Sequence, residues 1–386
     1  MEPSKKRLLA AVYALAFGFG LTCTMIAPLV SLILDDFSIT TAQGGLLMTF
    51  MNIGALLSVF FVLFFGDRFP KIPVYGLTYL LFSAALLCIV GAPSYAVLLA
   101  LMLIIGIGSK LVDILGNPIL ADTFSVGGER YLNLLHMFLS GGACIGPLLL
   151  QAALDAGCSW RIAFAGVGAL CCVLLAVSAP ALIRAAKNAP PVKASEKGPF
   201  RVTPILVFLG LITFFNQSHQ IIVNTWGTLY AQKALGLSGT PAVLTVPVFW
   251  AGIISARLIA SRVARPDNTL RLILRGSVGG GAALVLAAVC SAPAAAYIGL
   301  FLAGLLGGAV IPLAISRLCA LYPAASGRVT SAVFLTLVTA SLAVPALSGS
   351  LADKAGFLWV MVVSGAFLLI SAVFAVAACR LGPSQQ

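Results

Sequence analysis

Apolar windows follow one another almost without a break from Leu8 to Cys379, and each is long enough to cross a bilayer. A spanning helix needs about 20 mostly apolar residues. Twelve such windows can be marked, at 8–34, 42–65, 73–92, 94–122, 130–154, 161–184, 203–231, 241–261, 270–291, 294–321, 328–350 and 357–379. Hydrocarbon cannot hydrogen-bond a backbone, so continuous apolar runs of this length must be helices. The chain is 61% hydrophobic and only 9% charged, whereas a soluble domain is about 25% charged. These features predict an all-α membrane protein of twelve transmembrane helices. The first window follows Lys5, Lys6 and Arg7 as a signal peptide would, but its apolar stretch is too long and lacks a small-residue cleavage site. It reads as a retained helix.

A net charge of +12 could mark a nucleic-acid binder, so the placement of the cations decides. With the N-terminus inside, 17 of the 23 Lys and Arg residues fall in inner segments or at the inner ends of windows, against Arg161, Lys233 and Lys354 on the outer side. That asymmetry is the positive-inside bias, which predicts that both termini are cytoplasmic. The expected setting is multi-pass, in the inner membrane of a bacterium, as a monomer with the lipid bilayer and a small-molecule substrate as partners and no nucleic acid. The nine cysteines lie mostly within windows and show no C-x-x-C spacing, so no metal site, disulfide framework or cofactor is expected.

One long polar stretch, Ala185 to Pro199, is rich in Pro, Lys and Ala and separates the sixth window from the seventh. It divides the chain into a six-helix half at 1–184, a cytoplasmic linker at 185–202 and a second six-helix half at 203–386. An offset of 198 residues superposes Arg130 on Arg328, Pro147 on Pro345 and Asp155 on Asp353. Paired halves of this kind are a common plan for transporters, with the site near the bilayer midplane.

The loop after the second window, Gly66-Asp67-Arg68-Phe69-Pro70-Lys71, resembles the G-x-x-x-D-R-x-G-R-K signature of the major facilitator superfamily. Leu63 and Pro70 replace two of its glycines, and a fuller copy stands at Gly349-x-x-x-Asp353-Lys354-x-Gly356. The resemblance implies the major facilitator fold, two pseudo-symmetric halves, and a gating-loop role for Asp67, Arg68 and Asp353. Asp113-x-x-x-Asn117-Pro118 in the fourth window resembles the fucose-galactose-proton symporter group and its sodium-glucose relatives. So do Leu132-Asn133-Leu134-Leu135-His136-Met137-Phe138 and Gly142-Ala143-Cys144-Ile145-Gly146-Pro147. A second acid that some of that group carry in the first window is Thr24 here, ahead of Pro28.

Ionisable groups inside a span are expensive, and the first reading of one is functional. Lys110, Asp113 and Asn117 fall at spacings of three and four, on roughly one helix face. Asp113 reads either as an ion-coupling carboxylate working against Lys110 or as half of an ion pair that locks the helix. A carboxylate holds a proton near neutral pH only where burial disfavours its charge. His136 falls at nearly the depth of Asn117 and either binds substrate or shuttles a proton, or else holds a helix contact. In the seventh window Asn216, Gln220 and Asn224 repeat at four and make a polar stripe expected to face the substrate cavity, with Gln217 and Trp226 as further substrate-binding candidates, and Trp250 stands in the eighth. Amides match hydroxyls as donors and acceptors, and aromatic faces cover the apolar side of a sugar. The same groups equally serve interhelical hydrogen bonding. Arg257 and Arg317, near window ends, read as snorkelling side chains.

These expectations define a transporter, not an enzyme: a proton-coupled symporter of a small polar solute, a monosaccharide above all, with H+ favoured over Na+, working by rocking of two halves. The alternative is a proton-coupled efflux antiporter, since half of the signature G-x-x-x-G-P-x-x-G-G stands at Gly142 to Pro147. Leu150 and Gln151 replace its closing pair, and Met102 replaces an expected arginine. A rhomboid-like protease is suggested only by Gly236-Leu237-Ser238-Gly239, with no histidine spaced to serve as base. A sensor that binds without transporting would keep the same pocket.

Overall fold

The computed structural model describes residues 2–23, 25–39, 41–66, 68–124, 128–188, 202–238 and 240–381. Thr24, Asp67, Gly239 and linker residues 189–201 lie outside it. The helices are α1 (Pro3–Thr22), α2 (Ile26–Phe37), α3 (Thr41–Phe65), α4 (Lys71–Cys88), α5 (Tyr95–Thr123), α6 (Gly128–Asp155), α7 (Trp160–Asn188) and α8 (Pro204–Ala234). They continue as α9 (Thr240–Val243), α10 (Thr245–Val263), α11 (Thr269–Cys290), α12 (Pro293–Gly307), α13 (Val310–Leu321), α14 (Ser326–Ala355) and α15 (Phe357–Arg380). No strand occurs among the described residues. Ten stretches of helix there are long and apolar enough to cross a membrane. The remaining two expected windows, the first and the fifth, are also helical, as α1 with α2 and as α6.

Local chemistry sets several boundaries. Pro204 opens α8 and Pro293 opens α12, where a missing N–H goes unnoticed and φ is already helical. Ser159 Oγ accepts the Ile162 N–H at 3.3 Å and caps α7. The first and tenth windows are each broken into two rods. In the tenth the break lies between Gly307 and Val310, where Pro312 has no N–H to offer the Gly308 carbonyl four residues back.

The chain forms two compact units. The first comprises Met1–Thr123, Leu135–Gly198 and Ala324–Ser331; the second comprises Phe124–Leu134, Pro199–Pro323 and Ala332–Gln386. In the first, α4 buries Tyr75, Tyr79 and Phe82, and Phe19 of α1 meets Phe82 edge-on at 6.3 Å. In the second, Val223, Tyr230, Phe249, Leu284, Leu300 and Met361 gather in one core.

A backbone crossing recurs in both units at the 198-residue offset. A Cβ on Gly54 of α3 would lie 2.3 Å from the Leu103 carbonyl of α5, and one on Gly106 would lie 2.1 Å from the Met51 carbonyl. A Cβ on Gly252 of α10 would lie 2.3 Å from the Phe301 carbonyl of α12, and one on Gly304 would lie 2.3 Å from the Phe249 carbonyl. Each of these four residues and its contact map onto its counterpart. Membrane helices gain their attraction from close packing, and backbones approach this closely only through residues without side chains. The repeat is therefore built into the atomic contacts of the scaffold as well as into its helix order.

Candidate functional site

In the first unit, α5 presents Lys110, Asp113 and Asn117 on one face near its middle, as the spacing predicts. Lys110 Nζ donates to Asp113 Oδ2 at 3.0 Å, with 21% and 13% of the two side chains exposed. The pair is neither sealed nor fully solvated. Asn117 is buried; its Nδ2 donates to the Asp113 carbonyl at 2.7 Å, and its Oδ1 lies 2.9 Å from His136 Nε2. An amide oxygen only accepts, so the histidine donates from Nε2. Ser140 donates to the His136 carbonyl at 2.6 Å, one turn further along α6. Cys23 and Tyr75 lie within electrostatic reach of Asp113, and Cys23 is exposed. Acid, amide and imidazole thus form one connected chain across α5 and α6.

In the second unit the amides of α8 divide. Asn216 is fully buried, and its Nδ2 donates to the Gly307 carbonyl at 3.1 Å. Gln220, also buried, donates from Nε2 to Asn216 Oδ1 at 2.8 Å. Both amides are engaged within the unit. Asn224 is exposed, and its Oδ1 accepts the Trp250 indole N–H at 2.8 Å. Gln217 is partly exposed and makes no hydrogen bond among the described residues. Residues 217 and 224 are seven apart, close to two full turns, so they share a face.

Trp226 stands on another side of α8. Its N–H donates to Ser348 Oγ at 2.8 Å and its ring lies 5.8 Å from that of Phe357. That side also carries His219, whose Nδ1 lies 2.8 Å from Ser364 Oγ and whose ring meets Phe249 edge-on. The two tryptophans grouped by the sequence therefore belong to different surroundings.

Of the gating-loop residues, Asp67 is outside the described residues; Arg68 is exposed, with its guanidinium carbon 5.7 Å from the Phe65 ring centroid. Asp353 is exposed at the end of α14. The firm contact comes from the neighbouring Lys71, whose Nζ meets Asp122 Oδ2 at 2.6 Å and Ser326 Oγ at 2.7 Å. Sequence reasoning missed Asp122, although a carboxylate at the end of the fourth window was a usable signal. It also missed Asp36, which accepts from Arg161 Nε at 2.8 Å and from the Trp160 indole at 3.1 Å.

Arg257 does not snorkel. It is 5% exposed, and its Nε donates to the Gly308 carbonyl at 3.1 Å. That is the carbonyl left over by Pro312, and Asn216 serves the one before it, so the broken tenth window is held by side chains of α8 and α10.

The family model described as Major Facilitator Superfamily matches residues 12–337. The inner membrane transport protein YdiN of Escherichia coli is 21% identical over 378 residues, covering 95% of this chain and 88% of that protein. Among solved structures, the human organic anion transporter MFSD10 superposes with a TM-score of 0.79 at 17% identity, covering 97% of this chain and 100% of that one. FucP, the E. coli fucose:proton symporter, in its outward conformation, superposes with a TM-score of 0.75 at 17% identity, covering 98% and 100%. These likenesses show the fold.

Proposed function

Because the chain belongs to the Major Facilitator Superfamily, and so is a multi-pass membrane transporter, we propose that it carries a small polar solute, a monosaccharide above all, by proton-coupled symport with alternating access. The observation that carries this reading is the Lys110–Asp113 pair: a carboxylate in mid-helix, 13% exposed, held at 3.0 Å by a single ammonium. A proton and Lys110 compete for the same carboxylate, and that competition lets protonation be felt by the surrounding helix. The Asn117–His136 bond gives the pair a polar neighbour one turn away. In the second unit the exposed amide of Asn224, set against the Trp250 ring, suits a neutral hydroxylated solute. The likeness in fold to a fucose:proton symporter supports the same class of cargo.

Uptake of labelled hexoses into vesicles, with pH and sodium gradients imposed separately, tests the proposal. Concentration of a hexose driven by an acidic exterior is the expected result. Accumulation only in inverted vesicles acidified inside would instead establish the efflux antiporter, and binding without flux in any gradient would establish a sensor.

A further inference from the structure

A cavity of about 500 Å³ lies between α1 and α7, away from the residues considered so far. Its walls are two facing rows, Arg7, Ala10 and Ala14 on α1 and Val177, Ala181 and Arg184 on α7. The alanine methyls are too short to fill the gap between the rods, and each row ends in an arginine at the same end of the cavity. Neither Arg7 nor Arg184 has an acidic partner among the described residues, and Lys5, Lys6 and Lys187 stand close to them in sequence. The nearest acid in sequence, Glu2, accepts from Ser4 instead. Val177 is 76% exposed and Val173, one turn along, is 58% exposed, so the cavity opens on the apolar perimeter of the unit.

From this geometry we infer a binding site for an anionic phospholipid of the leaflet that lies on the side of the α1 N-terminus. The headgroup phosphate sits between Arg7 and Arg184, where guanidinium forks match phosphate oxygens, and an acyl chain lies along the alanine rows. Basic pockets between transmembrane helices are the usual place for such headgroups. The volume falls within the roughly 300 to 1,000 Å³ of small-molecule sites. A free phosphate ion would use the two arginines but leave the methyl-lined remainder and its opening toward lipid without a role. The two arginines thus do more than record topology.

Lipid titration of the purified full chain in detergent, read by native mass spectrometry, tests this site. Dioleoyl phosphatidylglycerol should bind about tenfold or more tightly than dioleoyl phosphatidylcholine, the expected scale for charge-assisted hydrogen bonds. Arg7→Gln with Arg184→Gln should abolish that preference, whereas Lys5→Gln with Lys6→Gln should keep it. Ala181→Leu, which fills the cavity and leaves both charges, should weaken both lipids and keeps the test decisive if the arginine variant does not fold. Undiminished preference in the arginine variant, or equal loss in the lysine variant, would overturn the site. So would displacement of phosphatidylglycerol by millimolar inorganic phosphate, or lipid binding unaltered by Ala181→Leu.

Discussion

The middle of α5 in the first unit and the α12–α13 stretch in the second occupy equivalent places at the 198-residue offset, yet they differ wherever chemistry is involved. Gly106 and Gly304 make the same close backbone approach. A turn later the likeness ends: Lys110, Asp113 and Asn117 correspond to Gly308, Ile311 and Ile315. One helix runs unbroken and bears an ion pair; the other breaks at the matching level. The amides show the reverse, since Asn216, Gln220 and Asn224 of α8 correspond to Gly18, Thr22 and Ile26. Packing has kept the duplicated scaffold, while its polar residues have diverged, to an ion pair in the first unit and buried and exposed amides in the second.

The sharpest way to break this division is to remove the carboxylate of the ion pair. Asp113→Asn keeps the shape and much of the hydrogen bonding, and accumulation against a gradient should be lost entirely while downhill exchange persists. Because the change leaves Lys110 without its carboxylate, Lys110→Met with Asp113→Asn is the companion variant. A double variant that still concentrates sugar in response to a pH gradient would show the pair to be structural.

The scaffold half of the comparison is tested by Gly106→Ala and Gly304→Ala. Each forces a Cβ to within 2.1 or 2.3 Å of a carbonyl oxygen, and each should lower thermal stability by about 1 to 3 kcal/mol, the range of overpacking. Gly91→Ala, with open space around it, should stay within about 0.5 kcal/mol. A variant tolerated in one unit and not in the other would mean that the two crossings are alike in geometry but not in strain.

The smallest effects separate the two ends of the α8 stripe. Asn216→Ala should cost about 1 kcal/mol of stability by releasing the Gly307 carbonyl. Asn224→Ala should leave stability unchanged and raise the half-saturation constant of transport roughly fivefold, about 1 kcal/mol. Equal behaviour of the two, by melting curves and initial uptake rates, would reunite the stripe.

That stripe shows where sequence reading reached its limit. The face shared by Lys110, Asp113 and Asn117 was legible because spacings of three and four fix a common side over one turn, and the depth of His136 put it opposite. Repeats of exclusively four drift by about 40° at each step, so residues 216 and 224 end about 80° apart, one inside the unit and one outside. Periodicity tells which side chains are neighbours on a helix; it does not tell what that helix packs against. Arg257 was misjudged for the same reason, because its partner Gly308 is contributed by a distant segment, as is Ser348, the partner of Trp226. The glycine crossings were equally present in the sequence, but glycines are so common here that only the contacts reveal the four that form the crossing repeated in both units.

The broken tenth window has a consequence for biosynthesis. At 15 residues α12 is about 22 Å long, short of the ~30 Å hydrocarbon core, so the insertion machinery must accept it together with α13 as one segment. The side chains that later hold its loose carbonyls, Asn216 and Arg257, are by then already in the bilayer, because α8 and α10 are made first. Until Gly307 and Gly308 emerge, Asn216 Nδ2 and Arg257 Nε lack the carbonyls they meet in the finished chain.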